Sequence, residues 1–184
     1  MTVYPPSEDS FLLASEVKNY ISSLKDKKIK ILDMGSGSGI QALAAIASGI
    51  KKENILCADI QPEAITYLKK QGLKALHSDL FSKIPKSHNF NLIVFNAPYL
   101  PENKYDKKPD TTAGKRGNEV IIRFLKEAKQ HLKEKGIILL LFSSLSRPEE
   151  ILKEAKKLKY QVEKLTEENI GMMEVLYVYK FSKN

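Results

Sequence analysis

Short apolar runs alternate with amphipathic segments of helical length along the chain. The apolar runs predict strands, and the segments in which apolar residues recur every three or four positions predict helices. The predicted helices are residues 8–20, 40–48, 62–71, 118–133 and 147–158. The predicted strands are residues 30–33, 54–60, 73–77, 90–95, 136–142, 160–165 and 174–181. Strands that alternate with helices are typical of a parallel α/β sheet.

The composition of the strands predicts where several of them lie in the sheet. Residues 90–95, FNLIVF, are typical of a central parallel strand that is covered on both faces. Residues 73–77 are predicted to lie at a sheet edge. The last two strands leave no room for a crossover helix between them, so we expect an antiparallel hairpin at the sheet edge. We therefore predict a seven-stranded, Rossmann-like sheet, mostly parallel with an antiparallel C-terminal hairpin and with helices on both faces.

The first predicted helix follows a Pro-Pro-Ser start. Ser7 is expected to cap this helix, and Glu8 and Asp9 suit the positive end of its dipole. Phe11 and Val17 are among the apolar residues that recur at helical spacing.

Length and composition fit one domain, residues 1–184. The 42% hydrophobic and 28% charged content is that of a soluble globular protein. No apolar run approaches the roughly 20 residues that cross a bilayer, and the N-terminal MTVYPPSEDS lacks the pattern of an export signal. We expect a cytoplasmic protein without a membrane partner.

Cysteine and histidine usage argues against a metal site. Cys57 is the single cysteine, which excludes an intramolecular disulfide, and the three histidines lack metal-ligand spacing. We predict no metal. The net charge of +8 suggests an anionic partner such as RNA or a ribonucleoprotein, although lysines spread over helical segments equally fit a solvated face.

A glycine-rich turn follows the first strand in ILDMGSGSGI. Asp33 ends the strand, Gly35 and Gly37 follow it, and a helix begins after Gly39. Such turns let a ligand approach the backbone beside the unpaired N–H groups of a helix N-terminus. The turn also matches a degenerate dinucleotide pattern, so a nicotinamide or flavin enzyme is a competing interpretation.

Two further acids favour a different cofactor. Asp59 ends the second strand and Asp79 follows the third, and ligands of open α/β sheets bind at the carboxyl ends of the strands. Asp59 is placed to accept from both ribose hydroxyls, and Asp79 from an adenine amino group, with Leu80 and Phe81 beside the base. A dehydrogenase has no standard use for the second acid. Together with the terminal hairpin, these acids favour an S-adenosyl-L-methionine-dependent methyltransferase.

The segment FNAPYLP follows the central strand and predicts the substrate class. Asn96 offers an amide, Pro98 stiffens the turn after Ala97, and Tyr99 supplies a flat aromatic face. An amide nitrogen is a poor nucleophile, so an enzyme must hold both N–H bonds and aim the lone pair at the methyl group. The Asn96 side-chain oxygen and the Ala97 carbonyl are placed to accept these protons, and catalysis would rest on positioning.

Several motifs resemble those of the HemK-type protein glutamine methyltransferases, a class I methyltransferase family. They are PSEDSFLL, LDMGSGSG, ADIQPEA, SDLF, NAPYLP and GKRGNEVIIRFL. The compact form is similar to the archaeal and eukaryotic branch, which methylates the glutamine of the Gly-Gly-Gln motif in peptide chain release factors during translation termination. The resemblance runs from about residue 4 to residue 179.

The resemblance implies roles for individual residues. Ser10 would contact the cofactor, Asp33 and Gly35 would line its methionine end, and Asp59 would bind its ribose. Asp79 and Leu80 would bind the adenine, and Asn96 would contact both cofactor and substrate. We include Gly37 and Ile60 in the cofactor site and residues 96–99 in the catalytic site. The predicted cofactor-binding residues are Ser10, Asp33, Gly35, Gly37, Asp59, Ile60, Asp79, Leu80 and Asn96, and the predicted catalytic residues are Asn96, Ala97, Pro98 and Tyr99.

Ala97 stands where the family usually has proline. The proposed contact there uses the backbone carbonyl, so we expect activity to be retained at some loss of rigidity. The family often uses a small zinc-binding activator subunit, for which the strand at residues 73–77 is a candidate docking site.

Two other functions fit parts of the pattern. The turn at residues 96–99 resembles that of DNA or RNA amino-methyltransferases acting on adenine N6 or guanine N2, but no nucleic-acid module is apparent. A silent cofactor-binding protein would fit if Ala97 marked a decayed site. Residues 100–116 are predicted to form a substrate-facing loop with four basic residues, Lys107, Lys108, Lys115 and Arg116.

Overall fold

The computed structural model describes residues 5–100, 116–171 and 173–183. Its helices are α1 (Glu8–Ser23), α2 (Ile40–Ala47), α3 (Pro62–Lys70), α4 (Glu119–Ala128) and α5 (Pro148–Lys157). Its strands are β1 (Ile31–Met34), β2 (Ile55–Asp59), β3 (Lys74–His77), β4 (Phe90–Asn96), β5 (Leu132–Ser143), β6 (Tyr160–Ile170) and β7 (Glu174–Lys183). Short 3-10 helices cover Lys52–Asn54, Lys129–His131 and Ser144–Ser146.

The strands form one seven-stranded sheet in the order β3-β2-β1-β4-β5-β7-β6. The first five strands pair in parallel, whereas β7 runs antiparallel to both β5 and β6. The predicted fold class is confirmed, including the position of β3 at one edge and the terminal hairpin. Within that hairpin β7 is inserted beside β5, so β6 forms the second edge.

The sheet is covered on both faces because alternate residues of its strands enter two separate cores. Leu32 and Phe95 belong to the core beneath α4 and α5. Ile31 and Val94, their neighbours along the same strands, belong to the core beneath α1, α2 and α3. This alternation explains why the central strands are apolar at nearly every position.

The boundary between α4 and β5 differs from the prediction. We predicted a helix through residue 133 and a strand from residue 136, whereas α4 ends at Ala128 and β5 begins at Leu132. Leu132 continues the apolar spacing of the helix, but it pairs with Phe90 across an irregularity in the ladder and is buried there. Strand pairing therefore determines the conformation of this segment, against its helical pattern.

The start of α1 also differs from the prediction. The Ser7 side chain makes no capping hydrogen bond. Phe11 is 60% exposed, and the inward face of the helix is formed by Leu13, Val17 and Ile21. The helical period was predicted correctly, but Phe11 lies outside the buried face of the helix.

None of the helices within the described ranges is both long enough and apolar enough to cross a membrane.

Candidate active site

The candidate site lies where the sheet order reverses. From β1 the chain adds β2 and β3 on one side, then returns to place β4 on the other side of β1. Met34 at the end of β1 is in register with Phe95, the residue before Asn96. In open α/β sheets such a reversal opens a crevice at the carboxyl ends of the strands, which is where ligands bind.

The glycine turn after β1 crosses over the end of β4. Gly35 has a φ of +59°, and a Cβ there would lie 3.0 Å from the Phe95 ring. The same Cβ would lie 3.8 Å from the backbone oxygen of Asn96. A larger residue at this position would be strained and would push against the strand that carries Asn96.

Asp33 is a buried carboxyl group with one atom left unsatisfied. Its Oδ2 accepts from the backbone N–H of Ala42 at 3.2 Å, while Oδ1 is buried without a hydrogen-bond partner among the described residues. Burial raises the pKa of Asp33 to about 7, and the nearby charge of Asp59 acts in the same direction. A cationic or N–H-bearing ligand group would satisfy this oxygen.

Asp59 joins the ends of β1 and β2. Its Oδ2 accepts from the N–H of Gly37 at 2.8 Å, and its Oδ1 accepts from the N–H of Gln61 at 2.8 Å. The carboxylate therefore fixes the glycine turn as well as its own loop. Ile60, the next residue, is 44% exposed and offers an apolar surface at the same rim.

Asp79 and Leu80 follow β3, but their surroundings differ from each other. Asp79 is largely exposed and forms an ion pair with Arg123 on α4, in which Nη1 donates to Oδ2 at 3.0 Å. Leu80 is buried, has a φ of 45°, and its carbonyl accepts from the Ser78 hydroxyl at 2.7 Å. The pairing of Asp79 with Arg123 was not predicted.

Asn96 ends β4 and contacts a residue that sequence reasoning did not place in the site. Its Nδ2 donates to Oδ2 of Asp9, in the first turn of α1, at 3.0 Å. Asn96 Oδ1 is buried and has no hydrogen-bond partner within the described part of the chain. The other carboxylate oxygen of Asp9 accepts from the backbone N–H and the hydroxyl of Ser10, at 2.6 and 3.1 Å.

The predicted catalytic turn continues from Asn96 along the end of the sheet. The N–H of Ala97 donates to the carbonyl of Leu141 at 3.3 Å, and the Ala97 side chain is buried. The carbonyl of Tyr99 accepts from the Ser146 hydroxyl at 3.2 Å. Pro98 and Tyr99 are partly exposed, and Tyr99 packs against both cores. The turn is thus held to β5 and to the segment that follows it.

Most of the predicted substrate loop, residues 101–115, lies outside the described residues, and Lys107, Lys108 and Lys115 are among them. Arg116, at the point where the described chain resumes, forms an ion pair with Glu150. Buried Asn118 donates from Nδ2 to Oε2 of the same Glu150 at 2.8 Å. The start of α5 therefore anchors the two residues Arg116 and Asn118, which follow this segment.

The sequence-predicted residues fall into three connected groups. In the first group, Asp9 accepts hydrogen bonds from both Ser10 and Asn96. In the second, the N–H of Gly37 donates to Asp59, and in the third, Asp79 pairs with Arg123 on α4. Asp33 interacts electrostatically with Asp59. The residue missed was Asp9, whose only sequence signal was an acid next to Ser10 in a segment interpreted as a helix start.

Comparisons with known proteins agree on one family. Residues 10–169 match the methyltransferase small domain. The chain is 35% identical over 173 aligned positions to a Methanocaldococcus jannaschii protein with the provisional name protein N5-glutamine methyltransferase, covering 88% of this chain and 82% of that relative. It is 31% identical over 196 aligned positions to the methyltransferase HEMK2 of Homo sapiens, covering 99% and 90%.

A solved structure with a similar fold is that of the E. cuniculi Mtq2-Trm112 complex, described as responsible for the methylation of the translation termination factor eRF1. The TM-score is 0.78 at 24% sequence identity, and both chains are covered completely.

Proposed function

The chain belongs to the methyltransferase small domain family and, within it, to the HemK-type protein N5-glutamine methyltransferases, and from that premise we propose its substrate. It is an S-adenosylmethionine-dependent methyltransferase, and we propose that it methylates the side-chain amide nitrogen of a glutamine in a peptide chain release factor. The glutamine is that of the Gly-Gly-Gln motif. Translation termination takes place in the cytoplasm, so the proposal implies that the enzyme acts there.

The observation that carries this proposal is the free acceptor on Asn96. Its Oδ1 is buried at the carboxyl end of a central strand and has no partner among the described residues. A buried acceptor without a partner is costly, so it favours a ligand that brings an N–H group. The primary amide of glutamine carries two such donors.

The proposed mechanism uses the turn after β4 to hold the amide. Asn96 Oδ1 accepts one N–H proton, and the backbone carbonyl of Ala97 accepts the other. Fixing both N–H bonds leaves the nitrogen lone pair directed at the reacting methyl group. Because the turn is held by Leu141 and Ser146, its geometry is set before the substrate binds, and positioning supplies most of the rate enhancement.

The residues around β1 and β2 fit S-adenosylmethionine. The unsatisfied Oδ1 of buried Asp33 would accept from the amino group of the methionine end, beside the glycine turn at Gly35 and Gly37. Asp59 would bind the ribose hydroxyls through the same carboxylate that accepts from the N–H groups of Gly37 and Gln61. When bound, the cofactor supplies the electrophilic methyl group.

The adenine would lie between the loops that follow β2 and β3. Ile60 offers an exposed apolar surface there, and Asp79 would accept from the adenine amino group while remaining paired with Arg123. Leu80 would contribute backbone contacts. Ser10 would contact the cofactor from α1, close to Asn96 through Asp9.

We further propose that β3 is the docking edge for a small zinc-binding activator subunit. This strand is the free edge of the parallel half of the sheet, and its Ala75 and Leu76 are half-buried. An edge strand presents unpaired backbone groups that a partner strand can join. The E. cuniculi protein Mtq2 was solved together with Trm112, which supports a partner for this fold.

The proposed substrate is tested by incubating the protein with labelled S-adenosylmethionine and release factor, with and without an activator subunit. A matched release factor in which the Gly-Gly-Gln glutamine is replaced serves as control. We expect label in the intact factor and none in the control. Equal labelling of both factors would contradict the proposed site of methylation.

Parallel reactions with duplex DNA and structured RNA test the competing substrate class. We expect no transfer to either. Transfer to a nucleic acid but not to the release factor would replace the proposed function with that of a base amino-methyltransferase.

A further inference from the structure

We propose that Asp9 is a positioning residue that fixes the orientation of the Asn96 side chain so that its oxygen, and not its nitrogen, faces the substrate. This inference rests on the proposed function of Asn96 as an acceptor for the substrate amide. It assigns a role to an acid outside the predicted site residues.

Asp9 is held in place by its own helix. It is buried, and its Oδ1 accepts from the N–H of Ser10 at 2.6 Å and from the Ser10 hydroxyl at 3.1 Å. Gln41 on α2 donates from Nε2 to the carbonyl of Ser10 at 3.0 Å. These contacts leave Oδ2 directed at Asn96, with the oxygen and the Asn96 Nδ2 3.0 Å apart.

The chemistry of the two groups selects one of two otherwise similar orientations. The oxygen and nitrogen of an asparagine amide have nearly the same shape, so packing alone separates the two flips poorly. A carboxylate can only accept, so it holds the donating Nδ2 on its own side. The Asn96 oxygen must then point the other way, where it is buried and without a partner in the described chain.

The opposite flip would be unproductive for an amide substrate. It would present the N–H groups of Asn96 to the N–H groups of the glutamine, and donors facing donors repel. It would also place the Asn96 oxygen against the Asp9 carboxylate. Asp9 therefore sets the hydrogen-bonding direction of the site before the substrate arrives, which is the condition for catalysis by positioning.

A role limited to α1 does not account for this geometry. Acids in a first helical turn stabilise the helix dipole from exposed positions, as Glu8 does at the preceding residue. Asp9 is instead buried and pairs with a strand residue 87 positions along the chain.

The test exchanges the two partners. The variants are Asp9→Asn, Asn96→Asp and the double variant carrying both changes. For each, kcat and KM are measured with release factor and cofactor affinity is measured by calorimetry. In Asp9→Asn the amide oxygen would keep the Ser10 hydrogen bonds and the amide nitrogen would face Asn96, which favours the unproductive flip. We therefore expect kcat to fall about ten- to a hundredfold, while cofactor affinity changes less than about threefold.

Asn96→Asp alone is expected to be impaired, because two carboxylates would face each other and cannot both be ionised at that separation. The double variant restores the pairing, since an amide at position 9 donates to a carboxylate at position 96 and leaves its second oxygen free. We expect its kcat to exceed that of Asn96→Asp by about tenfold.

The control is Glu8→Gln, which removes a neighbouring exposed acid of α1 and should leave kcat unchanged. The positioning role would be overturned by an Asp9→Asn variant with wild-type kcat. It would also be overturned if the fold loss of kcat in the double variant were as large as the product of the two single losses. Wild-type methylation of the release factor, measured alongside, tests the proposed function separately.

A measurement on the unmodified protein covers the case in which the variants fold poorly. In the wild-type enzyme we expect the side-chain amide protons of Asn96 to exchange slowly with solvent in nuclear magnetic resonance experiments. Exchange as fast as that of exposed Asn169 would overturn the proposal.

Discussion

The Asn96 side chain combines a fixed donor with a free acceptor. Its nitrogen is bound to Asp9, and its buried oxygen is available to a ligand. This oxygen makes no hydrogen bond to the described residues of the folded protein, so its loss should affect the reaction far more than the fold.

We therefore expect Asn96→Ala to lower kcat about a hundredfold and to leave cofactor affinity within a fewfold of wild type, because the lost interaction serves the reacting geometry. Single-turnover methylation of release factor and calorimetry measure the two quantities. The matched control is Asn91→Ala at the opposite end of β4, where Oδ1 accepts from the N–H of Lys30 at 2.9 Å. An Asn96→Ala enzyme with wild-type kcat would contradict the amide-holding mechanism.

The raised pKa of Asp33 has a consequence for stability. Its pKa in the folded cofactor-free protein is about 7, against an ordinary value of 3.8, because burial disfavours the charged form. A raised pKa in the folded state means that stability is fully present below about pH 4 and is lost as the pH rises through about 7.

We expect Asp33→Asn, which cannot ionise, to stabilise the cofactor-free protein at pH 8 and to have little effect near pH 4. The upper bound of the gain is roughly 4 kcal/mol, from the cost of each unit of pKa shift. Urea denaturation at both pH values measures it, with exposed Glu8→Gln as control. A variant that is less stable than wild type at pH 8 would contradict the burial penalty.

From the sequence, the position of a side chain could be predicted where the end of a strand determines it. Asp59 and Asn96 end their strands and Asp33 is the residue before the end of β1, so their common edge could be predicted from the strand period. Asp9 could not, because its partner is 87 positions away and its neighbours are those of an ordinary helix start. For Asp79, the sequence contained no sign that Arg123 would meet it across α4.

At the scale of the elements, aromatic packing beneath β4 supports the site. Phe124 of α4 is fully buried, with ring centroids 4.6 Å from that of Phe95 and 5.7 Å from that of Phe81. Phe95 directly precedes Asn96, so this cluster fixes the strand end that carries the candidate catalytic turn.

We expect Phe124→Ala to destabilise the protein by about 3 to 5 kcal/mol, because it leaves a cavity in the core. Phe11→Ala is the matched control: the same side chain is removed from a position that is 60% exposed, and the cost should stay within about 0.5 kcal/mol. Chemical denaturation compares the two. Similar costs would mean that Phe124 does not carry this part of the core.

Elements were predicted well where helix and strand patterns differ clearly. The boundary after α4 was wrong because Leu132 fits the helical stripe and the strand ladder equally, and pairing with Phe90 decides between them. The position of β7 between β5 and β6 also depends on pairing among segments that a linear pattern does not order.

At the scale of the whole molecule, the net charge of +8 favours a substrate with an acidic surface. Lys107, Lys108 and Lys115 follow the catalytic turn in sequence and lie outside the described residues. Changing all three to Gln is expected to raise the KM for release factor severalfold and to leave cofactor affinity unchanged, because the segment is proposed to face an acidic surface.

The control for this prediction removes the same charge elsewhere, by changing the exposed Lys133, Lys135 and Lys153 to Gln. Steady-state kinetics at fixed ionic strength compare the two triple variants. An equal rise in KM for both would assign the effect to net charge and not to the segment.

The sequence separation of its contacts also has a consequence for how the molecule folds. The β6–β7 hairpin joins segments that are adjacent in the chain, whereas the Asp9–Asn96 contact closes a loop of 87 positions. Loop closure costs more entropy as the loop grows, so local contacts form before distant ones. We expect the hairpin to form early and the methyl-transfer site to be completed late. Cofactor then binds only molecules that have finished folding, and by mass action it raises their share of the population.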